Sequence, residues 1–564
     1  MAETNGAMAG QKSYEAAAAR LTAENVIARI WQKDATVWSA SPEHAKIIGN
    51  SLGWLTVPEK TLARADELEA FAEEIRQAGF THAVVLGMGG SSLCPEVLRQ
   101  SFGHQKGYPE LLVLDSTVPA AVAHIESQIK LATTLFLVAS KSGSTTEPQM
   151  FERYFFGRVS ELKGTKAGEN FVAITDPNTL LEAQAREQGY RKTWVNWPDI
   201  GGRYSALSLF GMVPFAVMGG RVREFLSRAV QAVEACRNHQ VGNNPGASLG
   251  ALLGTLAGEK VDKLTLVAGK EIASLGLWIE QLVAESTGKQ GKGIVPIAGE
   301  ALAAPDAYGK DRLFVSISIG EADAQTSAQL AALEKAGYTL AAQQLSGPLD
   351  LGATFFVWEF ATAVAGAVMG IDAFDQPNVQ ESKDNTKRLL GEFVKHGALP
   401  AQKPLLTEGA IQLYSEDAAL GSTSCASLDA AMAAHLAKVT AGDYVAITQY
   451  FVENAEVESL VQQLRLAVRA KTKAATTTGY GPRFLHSTGQ LHKGGGNNGV
   501  FIQLTSADAK DVAIPREPFG FSVLKQAQSL GDLESLVTHG RRALRVELGA
   551  DVASGLRRLI KAVG

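Results

Sequence analysis

A short segment rich in hydroxyl side chains offers the clearest chemistry in the sequence. The segment "ASKSGSTTEP", residues 139–148, carries six hydrogen-bond donors within seven positions: Ser140, Lys141, Ser142, Ser144, Thr145 and Thr146. Short hydroxyls and an ammonium group suit several phosphate oxygens at once, and Gly143 lets the backbone approach an anion closely. The segment therefore predicts a phosphate-binding loop; the alternative is an ordinary loop that caps a helix.

A glycine-rich segment earlier in the chain predicts a second anion-binding turn. In "VVLGMGGSSLCPEV", residues 84–97, an apolar strand pattern runs into Gly90 and Ser91 before a helix pattern begins. Free backbone N–H groups at such a junction bind either the phosphate of a sugar or the pyrophosphate of a dinucleotide. Asp115, at the end of the next predicted strand, would suit a ribose hydroxyl, but Ser92 occupies the third glycine position of the dinucleotide pattern. With the hydroxyl-rich loop nearby, the residues favour a sugar phosphate.

Composition and charge limit the class of protein. The 564 residues are 46% hydrophobic and 20% charged, which is typical of an ordered soluble chain with several domains. The 53 basic and 58 acidic residues give a net charge of -5 without a long basic run, so a nucleic-acid partner is not expected. The 10 histidines are spread and form no His-x-x-x-His pair, so no metal site is expected.

Several features favour a cytoplasmic location. The first residues, "MAETNGAMAGQK", lack the basic segment and apolar core of a signal peptide. The apolar run at residues 355–374 carries Glu359 and Asp372, which predicts a buried helix rather than a membrane span. The cysteines follow no disulfide or metal spacing and are expected to be small buried hydrophobes: Cys94, Cys236 and Cys425.

The elements that would position these loops follow an α/β pattern. Residues 1–80 are expected to form an N-terminal helical segment. Short β-branched strands then alternate with helix-length stretches over residues 81–230, and the pattern restarts over residues 231–395, which predicts two doubly wound parallel sheets. Residues 396–564 predict a smaller α/β domain with strands in "DYVAITQYF" and "GVFIQLT" and a helix-rich end in "LESLVTHGRRALRVELG".

Further motifs resemble a known family. They are "GGRYSALS" at 201–208, "QLVAESTGKQGKG" at 281–293, "FDQPNVQESK" at 374–383 and "HSTGQLHKGG" at 486–495. With the two anion-binding loops, they resemble the sugar isomerase (SIS) fold and, within it, the glucose-6-phosphate isomerase family. The chain is similar to the isomerase half of bacterial transaldolase/glucose-6-phosphate isomerase fusions. The resemblance implies two successive SIS-type domains and covers the C-terminal residues poorly.

The resemblance implies catalytic roles for Glu285 and Arg203. The reaction moves one proton between adjacent carbons through an enediolate, which needs a carboxylate base and nearby positive charge. Glu285 matches the family's base, and two lysines shortly after it are expected to keep it ionised. Arg203 matches the residue that stabilises the enediolate and excludes water. The alternatives are a surface salt-bridging glutamate and a structural arginine at the contact between domains.

Other positions match the family's substrate contacts. Lys383 matches the ring-opening lysine, although its neighbours depart from the family motif, and the alternative is a solvated helix lysine. Gln281 and Gln376 fall where the family contacts sugar hydroxyls. The same resemblance assigns the phosphate to Gly90, Ser91 and the hydroxyl-rich loop.

The ring-opening histidine is absent from its usual place. In the family it lies between the base and the lysine, yet no histidine occurs between residues 286 and 395. The downstream motif "HSTGQLHKGG" resembles the family's "HSFYQLIHQG". We therefore expect His486 to serve as the ring-opening acid and base, supplied by the C-terminal domain. The alternatives are His492 and a purely structural pair of histidines.

The resemblance implies an isomerase of glucose 6-phosphate and fructose 6-phosphate that uses no cofactor, acts in glycolysis and gluconeogenesis, and forms a homodimer. A different possibility is a non-catalytic phosphosugar-binding SIS protein. The complete motifs around Glu285 and Arg203 argue against it. A nicotinamide-dependent dehydrogenase is disfavoured, because a nicotinamide site has no use for the hydroxyl-rich loop.

Overall fold

The N-terminal region is helical, as expected. The computed structural model describes residues 10–416 and 426–564. The first helices are α1 (Gln11–Ala23), α2 (Val26–Trp31), α3 (Pro42–Gly49), α4 (Val57–Leu62) and α5 (Ala65–Gln77). Their apolar faces join the main core: the ring of Trp31 stacks on Phe356 and Phe360, with centroids 6.2 Å and 5.7 Å apart.

The first sheet carries both predicted anion-binding loops at the carboxyl ends of its strands. Its parallel strands lie in the order β2-β1-β3-β4-β5. They are β1 (His82–Gly87), β2 (Glu110–Leu114), β3 (Thr134–Ala139), β4 (Phe171–Thr175) and β5 (Lys192–Val195). The intervening helices are α6 (Leu93–Phe102), α7 (Pro119–Gln128), α8 (Thr146–Lys163) and α9 (Leu180–Glu187). Because helices cover both faces, β3 and β4 are buried along their whole length.

The second sheet repeats the parallel arrangement. Three helices lead to it: α10 (Leu209–Val217), α11 (Val222–Cys236) and α12 (Pro245–Gly258). Its strands, in the order β7-β6-β8-β9, are β6 (Lys263–Ala268), β7 (Val295–Ile297), β8 (Arg312–Ile319) and β9 (Thr339–Leu345). The other helices of this part are α13 (Leu275–Thr287), α14 (Ala324–Lys335), α15 (Leu351–Met369) and α16 (Pro377–His396).

The apolar run in the second part forms α15, a core helix. One stretch of the described residues, Pro348–Met369, is long and apolar enough to cross a membrane, and 78% of it is buried inside the protein. Glycines on α12 allow α15 to approach closely, because a Cβ at Gly250 would overlap the carbonyl oxygen of Ala361 and one at Gly254 would crowd Val368. The prediction of a buried helix here is confirmed.

The C-terminal part contains a mixed sheet. Its order is β10-β11-β15-β14-β12-β13; β11 runs antiparallel to both β10 and β15, and the other neighbouring strands are parallel. The strands are β10 (Leu406–Glu408), β11 (Ile411–Tyr414), β12 (Tyr444–Tyr450), β13 (Ala475–Tyr480), β14 (Gly499–Thr505) and β15 (Arg542–Glu547). The helices are α17 (Leu428–Leu436), α18 (Ala455–Thr472), α19 (Gly489–Gly494), α20 (Phe521–Thr538) and α21 (Val552–Val563).

The helix-rich reading of "LESLVTHGRRALRVELG" needs correction. Helix α20 ends at Thr538, Gly540 adopts a positive φ of 63°, and the following residues form strand β15. Alternate side chains of β15, Leu544 and Val546, enter the apolar core of this domain, a period-two pattern that a helix would not bury on one face.

The α/β fold class is confirmed, and the domain boundaries at residues 80, 230 and 395 remain predictions. Cys94 and Cys236 are buried free thiols, in agreement with the sequence analysis. Cys425 lies outside the described residues.

Glu359 on α15 gives the core a pH dependence. Its side chain is fully buried, and neither carboxyl oxygen has a hydrogen-bond partner among the described residues. Burial therefore raises the pKa of Glu359 well above its ordinary value of 4.5.

We expect the wild type to lose stability relative to Glu359→Gln as the pH rises above 4.5. The folded chain keeps the Glu359 proton while the unfolded chain releases it, so the loss approaches about 1.4 kcal/mol per pH unit until the raised pKa is reached. Denaturant unfolding at pH 5 to 8 measures the difference. Glu161→Gln, on an exposed side chain, is the control. If the free energies of unfolding of wild type and Glu359→Gln change in parallel with pH, the prediction is wrong.

Candidate active site

Arg203 organises the junction between the first and second sheets. It lies on a 3-10 turn, Gly202–Tyr204, and its side chain is buried. All five guanidinium N–H groups are used: Nε donates to Ser286, Nη1 to the side chains of Glu285 and Gln376, and Nη2 to the carbonyls of Ala373 and Asp375. The turn approaches the first glycine loop closely, since a Cβ at Gly90 would overlap the carbonyl oxygen of Gly202.

Glu285 lies on α13, beside this guanidinium. Its Oε1 is 3.1 Å from Nη1 of Arg203, and its Oε2 is 3.2 Å from Nε2 of Gln281, one helical turn earlier. The same amide of Gln281 donates to the backbone oxygen of His486 at 2.8 Å. The predicted base therefore lies in one hydrogen-bonded cluster with the predicted arginine and the segment that carries the predicted histidine.

The lysines that follow Glu285 do not contact it, which corrects the expectation that they keep it ionised. Lys289 donates to the carboxylate and carbonyl of Asp375, and Lys292 donates to the carbonyl of Met369. Burial and the nearby charge of Arg203 lower the pKa of Lys289 to about 8. The positive charge next to Glu285 is instead that of Arg203.

The hydroxyl-rich loop connects β3 to the N-terminus of α8, where free N–H groups and the helix dipole favour an anion. Ser140 contacts Thr145, and Ser142 contacts Ser144, with Oγ atoms 3.0 Å apart. Lys141 turns away to Asp176 and the carbonyl of Pro198. The hydroxyls are therefore grouped at the start of α8, while Lys141 contacts residues outside the loop.

A cavity of about 540 Å³ adjoins this loop. Its walls include Ser144, Lys383 and His486, three of the residues predicted from the sequence, together with Glu147 and Gln528. The first glycine loop contacts the opposite side of the histidine segment, because a Cβ at Gly89 would lie 3.0 Å from the carbonyl oxygen of His486. Ser91 ends the short turn Gly89–Ser91 of that loop.

Glu147 and Gln528 line this cavity beside His486, and the sequence analysis did not single them out. His486 Nε2 lies 3.0 Å from Glu147 Oε1, which also accepts a hydrogen bond from Gln528, and Thr117 donates to Gln528. Burial acts to raise the pKa of Glu147, but His486 holds it below its ordinary value. Glu147 stands in the quoted segment "SGSTTEP", where a carboxylate among hydroxyls was the available signal.

His492 has a different environment. It is buried among the rings of Tyr444, Phe484 and Phe501, and its Nε2 has no hydrogen-bond partner within the described ranges. Burial lowers its pKa to about 3, so the ring is neutral at physiological pH. Its surroundings suit a packing role, whereas His486 faces the cavity.

Asp115, considered above for a ribose hydroxyl, is engaged elsewhere. Its carboxylate accepts two hydrogen bonds from Arg483, at 2.8 Å and 2.9 Å. Arg483 begins the 3-10 turn Arg483–His486, so this ion pair joins the first sheet to the turn that carries His486. Glu453 is a more distant partner of Arg483, at 3.7 Å.

A small acidic group lies behind the site. The side-chain atoms of His44, Asp372 and Asp375 that could bind a metal ion lie within 4.8 Å of one another. The histidine Nδ1 is 2.7 Å from Asp372, which raises the pKa of His44, and Asp375 also pairs with Lys289. These ion pairs account for the charges of the group.

We expect Asp115→Asn to lower the free energy of unfolding by about 3–5 kcal/mol, because it removes one partner of a largely buried pair. Glu453→Gln is the matched control on the same guanidinium; its carboxylate is half exposed, so a loss below about 1 kcal/mol is expected. Urea unfolding followed by circular dichroism compares the two variants. Equal losses would show that Asp115 has no special part in holding the turn.

Comparisons with known proteins agree with the motifs. Residues 57–295 match the model of the family described as phosphoglucose isomerase. The chain is 31% identical over 281 residues to glucose-6-phosphate isomerase of Nostoc sp. strain PCC 7120, covering 44% of this chain and 51% of that protein. It is 28% identical over 395 residues to glucose-6-phosphate isomerase of Carboxydothermus hydrogenoformans, covering 59% and 83%.

The chain spans about half the length of the first of these curated relatives. Among solved structures, a glucose-6-phosphate isomerase of Chlamydia trachomatis D/UW-3/Cx superposes with a TM-score of 0.56 at 20% identity, covering 68% of this chain and 87% of that one, which shows the shared fold. The resemblance to the glucose-6-phosphate isomerase family is therefore confirmed, with residues 57–295 as its matched region.

Proposed function

We propose that the chain interconverts glucose 6-phosphate and fructose 6-phosphate through an enediolate. The observation that carries the proposal is the buried cluster of Glu285, Arg203 and Gln281, which is hydrogen-bonded to the backbone of His486. A carboxylate that can act as a base and a cation are thereby held together, as the reaction requires, and the backbone of the segment that carries His486 lies against them. Both Arg203 and Glu285 fall within the matched family region.

Glu285 is the proposed base. It would take a proton from the carbon beside the carbonyl and return it to the neighbouring carbon, while Arg203 offsets the negative charge of the enediolate. Because all five N–H groups of Arg203 already have protein acceptors, one of them must be released for the guanidinium to face the substrate. The side chain of Gln376, which accepts from Nη1 at 2.9 Å, is the simplest to displace.

The phosphate is proposed to bind at the start of α8. Ser140, Ser142, Ser144 and Thr145 supply hydroxyls there, and the helix N-terminus supplies N–H groups and a favourable dipole. Of these four, Ser144 lines the cavity of about 540 Å³, whose wall also includes Lys383 and His486; these two residues are proposed to assist ring opening. Glu147 would orient the imidazole of His486 through the 3.0 Å contact.

We expect Glu285→Gln to lower turnover of fructose 6-phosphate by about 10²–10⁴-fold, because the amide cannot accept the proton. An assay coupled to glucose-6-phosphate dehydrogenase measures the rate, and calorimetry measures sugar-phosphate binding. Glu280→Gln, a buried glutamate on the same helix, is the matched control and should keep its activity.

The same experiment separates an enzyme from a non-catalytic phosphosugar-binding protein. If wild type and Glu285→Gln bind the sugar phosphate equally and both lack turnover, the chain is a non-catalytic phosphosugar-binding protein. If Glu285→Gln retains more than about a hundredth of wild-type turnover, Glu285 is not the base.

We expect His486→Ala to lose conversion of the cyclic sugar phosphate yet keep proton exchange on an open-chain analogue that cannot cyclise, since only the first needs a ring-opening acid. Coupled assay and deuterium exchange followed by NMR measure the two activities. His492→Ala is the control for a buried histidine of the same segment. Loss of cyclic turnover in His492→Ala alone would move the role to His492; no effect in either variant would leave Lys383 or a water to open the ring.

A homodimer and a cytoplasmic location are part of the proposal. The buried free thiols of Cys94 and Cys236 are compatible with a reducing compartment. The dimer rests on the resemblance to the family, and light scattering coupled to size-exclusion chromatography tests it.

A further inference from the structure

A second polar cavity lies in the C-terminal domain, apart from the candidate active site. Its volume is about 530 Å³, within the range of small-molecule sites. It opens at the carboxyl ends of β14 and β15, between helix α20 and the segment that leads from α16 into the domain. The polar residues of its wall that matter here are Thr505, Ser506, Lys525, Ser529, Arg545 and Glu547.

Arg545 on β15 is the unusual member of this wall. Its side chain is only 8% exposed, and its buried Nε has no hydrogen-bond partner. The guanidinium forms no ion pair with any described residue, and its carbon lies 3.9 Å from the centre of the Tyr414 ring. Burial lowers the pKa of Arg545, although the neighbouring Tyr414 and the carboxylate of Glu547 act in the opposite direction. The free Nε–H of an arginine in a cavity wall leaves a hydrogen-bond donor available to a bound molecule.

The strand register gathers polar groups around Arg545. Tyr414, Arg545 and Gln503 are aligned across β11, β15 and β14, and Gln412, Glu547 and Thr505 form the next row toward the carboxyl end. The Oε1 atom of Gln503 is also buried without a partner. A hydrogen-bond donor, Arg545 Nε, and an acceptor, Gln503 Oε1, are therefore both without a partner on neighbouring strands of one sheet face.

The other charged groups at the cavity are Lys525 and Glu547. Lys525 donates to the carbonyl of Ser506 at 2.8 Å and pairs with Asp508 at 2.8 Å. Glu547 accepts a hydrogen bond from Thr505 at 2.5 Å. Lys525 is thus held by an ion pair, whereas Arg545 keeps a buried Nε–H without an acceptor and has the Glu547 carboxylate as its neighbouring opposite charge.

We propose that this cavity binds a small hydroxylated organic anion, with its phosphate or carboxylate group on the guanidinium of Arg545. An arginine suits both anionic groups, because its planar N–H groups match two oxygens at once. The hydroxyls of Ser506 and Ser529 and the carboxylate of Glu547 would contact the hydroxyl groups of the ligand. The site takes no residue from the cluster around Glu285.

Calorimetric titration of the full chain with inorganic phosphate and, separately, with citrate tests the proposal. We expect Arg545→Met to weaken one anion-binding event at least tenfold relative to wild type, since a charge-assisted hydrogen bond contributes about 1.5–3 kcal/mol. Binding at the active site is common to both chains and cancels in the comparison. Arg557→Met, an exposed arginine on α21, is the control. The phosphate and citrate arms show which anionic group the site prefers.

Thermal unfolding in anion-free buffer gives the second readout. A ligand-binding Arg545 predicts that Arg545→Met unfolds at the same or a higher temperature than wild type, and that phosphate or citrate raises the midpoint of wild type more. If Arg545→Met fails to fold, Arg545→Lys replaces it and should bind more weakly than wild type. Unchanged anion affinity and stoichiometry in the folded variant would overturn the proposal, whatever the isomerase assay shows.

Discussion

The saturated guanidinium of Arg203 is the interaction on which the candidate site depends. It lies where the first and second sheets meet, and its acceptors come from α13 and from the segment before α16. Because all five N–H groups of this buried cation are hydrogen-bonded, these contacts fix those segments relative to one another. The close approach of Gly90 to Gly202 then follows, because the turn that carries Arg203 must reach the loop after β1. The position of Glu285 is a consequence of the same contacts.

The C-terminal domain is attached to this centre by polar contacts of different kinds. Gln281 holds the backbone of His486, Glu147 contacts its ring, and Asp115 pairs with Arg483 at the start of the same turn. These partners belong to the first and second parts of the chain. The histidine is thus held at its backbone, at its imidazole and at the beginning of its turn. Such a set of contacts restrains both the position and the direction of the ring.

Short-range patterns were sufficient for much of the fold and less so for the site. The buried strands of the first sheet and helix α15 follow from apolar runs with clear ends, whereas β15 was obscured because Arg542 and Arg545 give it a charged, helix-like composition. The motifs indicated which residues contribute to one site, but not which hydrogen bonds and ion pairs those residues form. That Lys289 turns to Asp375, or that Gln528 reaches Glu147, depends on contacts between residues far apart in the chain.

Because His486 and Glu285 belong to the same chain, the effective concentration of one near the other does not depend on the protein concentration. A group tethered by a folded domain has an effective concentration set by geometry, which does not fall when the protein is diluted. The segment between α16 and β10 tethers the domain that carries His486 to the part of the chain that carries Glu285. The proposed acid, His486, therefore stays near the proposed base, Glu285, at any dilution of the protein.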